Sequence, residues 1–126
     1  MSTEKYQLEF EINSSPKLLY SYLSTPSGLS EWFADNVNSR GEKFSFYWDE
    51  TQEDAILLKS KQDVYVRFHW EDDPDPKTFF EMRITVDDLT KDVSLLIIDF
   101  AEESEKEEAV RLWESQIEDL KHTLGS

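Results

Sequence analysis

The sequence contains no cysteine, so it offers no disulfide framework, no thiol nucleophile and no thiolate metal site. Basic residues are scarce: 13 Lys and Arg stand against 28 Asp and Glu, a formal charge of −15. Nucleic acids and anionic membrane surfaces both need a basic footprint, and this balance argues against either as a partner. No apolar run approaches the ~20 residues of a membrane-spanning helix, and the first residues carry no apolar stretch of a secretion signal. A cytoplasmic location is the expectation that follows. Only two histidines occur, His69 and His122. They are not spaced as a metal-ligating pair, and no residue set implies a metal or cofactor. Repeats, low-complexity tracts and linkers are also lacking, so the 126 residues are expected to form one domain.

What the chain does have is aromatic side chains, 4 Trp, 5 Tyr and 8 Phe, enough to dominate one core. Its organising stretch is C-terminal. Val110, Trp113, Ile117, Leu120 and Leu124 recur at alternating steps of three and four and fall in one stripe of a helix. Ser104 and Glu107 read as a capping box at its start and Gly125 as its stop. Carboxylates crowd its first turns, where the helix dipole favours them. Such a stripe needs a broad apolar surface to lie on, and Trp113 is expected to be its most buried residue.

The rest of the chain supplies that surface. Tyr6, Leu8, Phe10 and Ile12 alternate with polar residues as a half-buried strand. Two short helices follow, Ser15 capping one with Pro16 at its first position and Thr25 capping the next with Pro26. Leu29, Trp32 and Phe33 give the second its apolar side. From Val37 the period becomes two. Arg40-Gly41 marks a turn, and Phe44, Phe46 and Trp48 share a strand face. The stretch from Ala55 to Ser60 is a strand whose inward face stays open, because a turn of two or three residues near Lys61-Gln62 sets it either way. Val64, Val66, Phe68 and Trp70 share one face of a strand, as do Phe80, Met82, Ile84 and Val86. Val93 to Phe100 is apolar on both faces. An α+β domain is expected: one strand, two short helices, six further antiparallel strands and a long helix.

That order, with the stretch Thr25-Pro26-Ser27-Gly28-Leu29-Ser30-Glu31-Trp32-Phe33-Ala34-Asp35, the strand to Trp70, and Asp99-Phe100-Ala101-Glu102-Glu103 running on into Trp113, resembles the START-like, or helix-grip, superfamily. The first stretch is similar to the branch related to the C-terminal domain of chaperone-ATPase activators, and the whole chain to a small bacterial START-like family. The resemblance implies a curved antiparallel sheet of about seven strands wrapped on the long helix. It also implies a cavity between them, with its mouth near the short helices. Superfamily members bind lipids, hormones or polyketides, cyclise substrates, or touch chaperones, so the resemblance implies no catalytic residue here.

Several residues are candidates for function. Trp32, Phe44, Phe46, Trp48, Phe68, Trp70, Phe80, Met82, Trp113 and Ile117 are expected to project toward one interior, as a filled core or as the lining of a modest apolar pocket for a small hydrophobic ligand. Rings this large favour a flat or short ligand over a long-chain lipid. The alternative is a protein–protein module in which the interior is only core. Asp99, among Ile97, Ile98 and Phe100, and Asp35, after Trp32-Phe33-Ala34, are the carboxylates placed for general acid/base work if the protein is an enzyme; the structural readings are a strand end facing the long helix and a helix-end turn. The Asp72-Asp73-Pro74-Asp75 run lacks the glycine and distal Glu of a calcium loop and reads as an acidic turn. On the outer sheet face, pairing that sets His69 opposite Phe79 places Arg67 opposite Glu81 and Tyr65 opposite Arg83. Tyr65, Arg67, Phe79 and Arg83 would then form an exposed patch suited to a homodimer interface.

Overall fold

The computed structural model describes residues 3–125. The alternation of the first residues becomes β1 (Thr3–Glu11), which is followed by α1 (Pro16–Ser24) and α2 (Pro26–Leu29). Both helices begin as their sequences require. The Ser15 hydroxyl accepts the Leu18 amide, 3.2 Å, and the Thr25 hydroxyl accepts the Gly28 amide, 3.0 Å, each with proline in the next position. Gly28 lets the two helices touch: a Cβ there would lie 2.3 Å from the Ser21 carbonyl oxygen.

Six strands follow: β2 (Asn36–Arg40), β3 (Lys43–Trp48), β4 (Thr51–Lys61), β5 (Tyr65–Trp70), β6 (Phe80–Val86) and β7 (Val93–Glu102). With β1 they form one antiparallel sheet in the order β1-β7-β6-β5-β4-β3-β2. The chain therefore crosses from one edge to the other after β1, and α1 and α2 make that crossing over the concave face. The long helix α3 (Glu103–Leu124) lies on the same face, against β7 and β1. Phe46, Phe68, Phe80, Met82, Leu95 and Ile97 point from the sheet into the layer between, where α1 adds Leu19 and Leu23.

Four expectations need correction. No capping box forms at α3. Strand β7 passes directly into the helix, so the extended Glu102 is itself the N-cap residue and Ser104 already sits in the first turn, with no side-chain cap. The acidic first turn and the left-handed Gly125 at φ 73° are as the sequence suggests. Trp113 is not the most buried residue of α3: it is 6% exposed, against 1% for Ile117 and 0% for Leu120, because its ring reaches the rim of the layer. The open question of β4 is settled by a bulge between Leu57 and Lys59 and not by the turn. Ala55 and Leu57 face inward beside Trp70 and Phe68, the extra residue Leu58 is expelled to solvent, and the strand then resumes opposite β5. Finally, Tyr65 is only 8% exposed, so it is not an exposed aromatic.

Candidate functional site

Phe33 ends the turn after α2 and sits at the centre of the aromatic layer. Its ring lies 5.2 Å from Phe46, 5.8 Å from Phe80 and 5.9 Å from both Trp48 and Trp113. Its carbonyl accepts the Trp48 indole N–H at 3.0 Å and the Gln116 amide at 2.9 Å. One residue thus ties α2 to β3 and to α3. Trp32 is anchored separately, its indole donating to the Tyr22 carbonyl at 2.9 Å.

Beside this anchor the two layers part. At the ends of β3, β4 and β5 that face α3, a half-open cleft of about 480 Å³ remains. Its walls are Phe33, Trp48, Trp70 and Trp113, its helix side Ala109, Leu112 and Gln116, and its strand side Thr51, Glu53 and Asp99. A second, more polar groove of about 610 Å³ continues along α3, sharing Phe33, Trp48, Leu112 and Gln116 and adding Trp32, Asp35, Asp119 and His122 among others. Of the residues expected to line a pocket, Trp48, Trp70 and Trp113 line the cleft and Trp32 the adjoining groove. Phe44, Phe46, Phe68, Phe80, Met82 and Ile117 are sealed core: the rings contact one another edge-to-face and stacked, Phe46 against Phe68 and Phe68 against Phe80, and close the layer there. Phe33 was legible only as a helix-face residue. Ala109, Leu112 and Gln116 were missed, although their steps of three and four trace a second stripe beside the first.

Asp99 projects from β7 onto the cleft wall. Its Oδ2 accepts the Trp113 indole N–H at 2.9 Å and the Tyr6 hydroxyl at 3.4 Å, and its Oδ1 accepts the Phe100 amide at 2.7 Å. Burial pushes its carboxyl above the ordinary range, although the bonds from Trp113, Phe100 and Tyr6 oppose this. Burial and the neighbouring Asp99 charge push the Tyr6 phenol up as well, which keeps it a donor. Asp99 is not a strand end: β7 continues to Glu102 and pairs Asp99 with Tyr6 of β1, and the side chain faces the long helix beside the cleft.

A raised carboxyl has a definite consequence for stability. Between the unfolded value of about 3.9 and the higher folded value, the native state binds more protons than the unfolded state. Stability contributed at this site is therefore present at low pH and lost as pH rises through the folded pKa. Asp99→Asn keeps an acceptor oxygen for Trp113 and Tyr6 and cannot ionise. The expected result is that wild type loses stability relative to Asp99→Asn as pH rises from about 4 toward neutrality, read from paired urea titrations at several pH values. A difference independent of pH would show that folding leaves this carboxyl unshifted, and one of opposite slope that the fold stabilises the ionised form.

The other acidic candidates have local roles. The Asp35 carboxylate accepts the Asp49 amide at 2.8 Å, pinning the β3–β4 turn in which Asp49 takes φ 46°. Asp73 accepts the Thr78 hydroxyl at 2.6 Å and the Asp75 amide at 3.0 Å, bonds that hold its carboxyl below the ordinary range. His69 lies 2.8 Å from the Thr78 carbonyl through Nδ1, placing the imidazole beside the same turn.

On the outer face, Tyr65 pairs with Arg83 and Arg67 with Glu81. Glu81 is 1% exposed because two guanidinium groups lie over it, Arg67 and Arg83 each at 2.8 Å. Arg67 in turn stacks 4.2 Å from the Phe79 ring centre and Arg83 4.3 Å from that of Tyr65. The basic and aromatic groups are thus largely engaged with one another, which is why Tyr65 is covered.

The chain matches the START-like superfamily domain over residues 1–126. Among solved structures, protein BfR322 from Bacteroides fragilis shares 37% identity and a TM-score of 0.70, the match covering 98% of this chain and 93% of that one. Protein MLL2253 from Mesorhizobium loti is similar at 18% identity and TM-score 0.78, covering 97% of each chain. The Aha1 dimer from Colwellia psychrerythraea is similar at 16% identity and TM-score 0.74, covering 96% of this chain and 94% of that one. These last two likenesses concern the fold. A comparison with curated proteins gave no match. Among the described residues no helix is long and apolar enough to cross a membrane.

Proposed function

This chain belongs to the START-like superfamily, and on that premise we propose that it is a non-enzymatic binding domain taking a small hydrophobic ligand in the cleft between the ends of β3–β5 and α3. The observation that carries this reading is the contrast within one layer. The aromatic core is sealed over most of the sheet, yet beside it Phe33, Trp48, Trp70 and Trp113 border a half-open space of about 480 Å³. Small-molecule sites occupy about 300–1,000 Å³ and combine apolar walls with a few polar groups; here the polar groups are Asp99, Glu53, Gln116 and Thr51. The filled core next to it favours a flat, short ligand over a long acyl chain. Titration with the neutral planar dye Nile red should quench Trp fluorescence saturably in the micromolar range. Native mass spectrometry of freshly purified protein should show a retained small mass. Titration without saturation, together with a bare protein mass, would defeat the reading.

A second reading is self-association through the outer sheet face, with Arg67, Phe79 and Arg83 at its centre and Tyr65 beneath Arg83. It draws support from the Colwellia relative solved as a dimer and from Leu96, which adjoins Arg83 on that face and is only partly covered. Equilibrium sedimentation across a concentration series tests it. A dimer should build up at tens of micromolar, and a monomer throughout that range would end this reading without touching the first.

A further inference from the structure

Asp99 is a mostly buried carboxylate, and among the described residues no Lys or Arg forms an ion pair with it. This is unusual, since buried charges are generally paired. The rest of the fold observes the rule: Glu81, the more deeply buried of the two at 1% exposed, is gripped by two arginines. An ionised carboxylate offers about four lone-pair sites, and Asp99 uses three, for Trp113, Tyr6 and Phe100. One side of it borders the cleft. The cleft residues include three Trp and one Phe, whose ring faces attract cations. A second carboxylate, Glu53, stands on the strand side, and the adjoining groove adds Glu31, Asp35 and Asp119. Neither space is lined by a Lys or Arg.

We infer that the cleft selects a positively charged organic molecule, a flat aryl or alkyl amine or quaternary ammonium whose cation sits against Asp99 and the indoles and whose apolar body lies along Phe33 and Leu112. The inference rests on the cleft being a ligand site, as proposed above. The ligand supplies the counter-charge that the fold withholds from Asp99. An anionic amphiphile of the same size is rejected, because every ionised group it meets has its own sign.

The test uses two isosteric probes, phenyltrimethylammonium and tert-butylbenzene, which share shape and differ in charge. Binding is followed by the indole N–H signals of the 4 Trp in two-dimensional NMR. Salt of about 0.15 M limits the long-range field of the acidic chain to about 8 Å. The expected result is about tenfold tighter binding of the cation, with shifts at Trp48, Trp70 and Trp113, and a cation-to-neutral affinity ratio that falls several-fold in Asp99→Asn. Equal affinities for the two probes, or preference for tert-butylbenzene, would overturn the inference while leaving the cleft as a ligand site. Failure of both probes to bind would overturn the cleft reading itself. The wild-type comparison decides the matter even if Asp99→Asn folds poorly.

Discussion

Trp113→Ala is expected to lower the unfolding free energy by about 3–5 kcal/mol, the range for deleting a large buried aromatic. Two losses combine. The indole ring vacates the space between α3 and the sheet, where it lies 5.9 Å from Phe33 and 6.1 Å from Phe80. Asp99 also loses its shortest side-chain donor while remaining mostly enclosed. Because typical domains hold only about 5–15 kcal/mol in total, the variant should melt far below wild type. Trp113→Phe separates the terms: it keeps most of the packing and removes the hydrogen bond to a charged group, for which about 1.5–3 kcal/mol is expected. Urea titrations check both, with midpoints lowered and slopes unchanged. A Trp113→Ala midpoint within error of wild type would mean that α3 is not gripped through this residue.

Phe33→Ala should have a similar cost, about 3–5 kcal/mol, for a different reason. Phe33 is far from the long helix in sequence and stands on a turn, where substitutions are commonly tolerated. Here the turn residue is the contact point of three elements: its ring packs on Phe46, Phe80 and Trp113, and its carbonyl holds Trp48 and Gln116. Removing the ring leaves a void under the cleft floor and frees the backbone that carries both hydrogen bonds. Stability and ligand affinity should therefore fall together. Phe33→Leu, which refills much of the volume, should recover a large part of the stability. Thermal melts of the two variants, with Nile red titration at a temperature where both are folded, provide the check. A loss below about 1 kcal/mol for Phe33→Ala would show that the layers are held together elsewhere.

Much of this architecture is legible before folding because it is written in short-range periods. The alternation in Tyr6–Ile12, Phe44–Trp48 and Val66–Trp70, and the three-four spacing of Trp113, Ile117 and Leu120, each determine which face of an element turns inward. Proline after Ser15 and Thr25 marks both short helices, and alternation places Arg67 and Glu81 on the same outer face, where the strands pair them. Those patterns are properties of a segment and its immediate neighbours, so the sequence by itself determined the element order, the α+β class and the inward faces of these strands, though not that of β4.

The site depended on something else. Of the inward-facing aromatics, Trp48 and Trp70 border open space while Phe46 and Phe68 are sealed, although all four obey the same alternation. What separates them is position along the strand: Trp48 and Trp70 stand at the ends of β3 and β5, where they meet Ala109, Leu112 and Trp113 across the cleft, and α3 lies many residues away along the chain. Asp99 shares its strand face with Leu95 and Ile97, which is legible, but its partners Tyr6 and Trp113 come from β1 and α3. Leu112 is 61% exposed, yet it forms part of the helix side of the cleft. Glu81 and Tyr65, polar-face residues by period, are covered because the guanidinium planes of Arg67 and Arg83 lie across Glu81 and that of Arg83 across Tyr65. Nor does local pattern announce the bulge at Leu58, which turns on how β4 must bend to stay paired. A period records which way a side chain points. Whether that direction ends in a packed core, a charged lid or a cleft is decided only when distant elements meet.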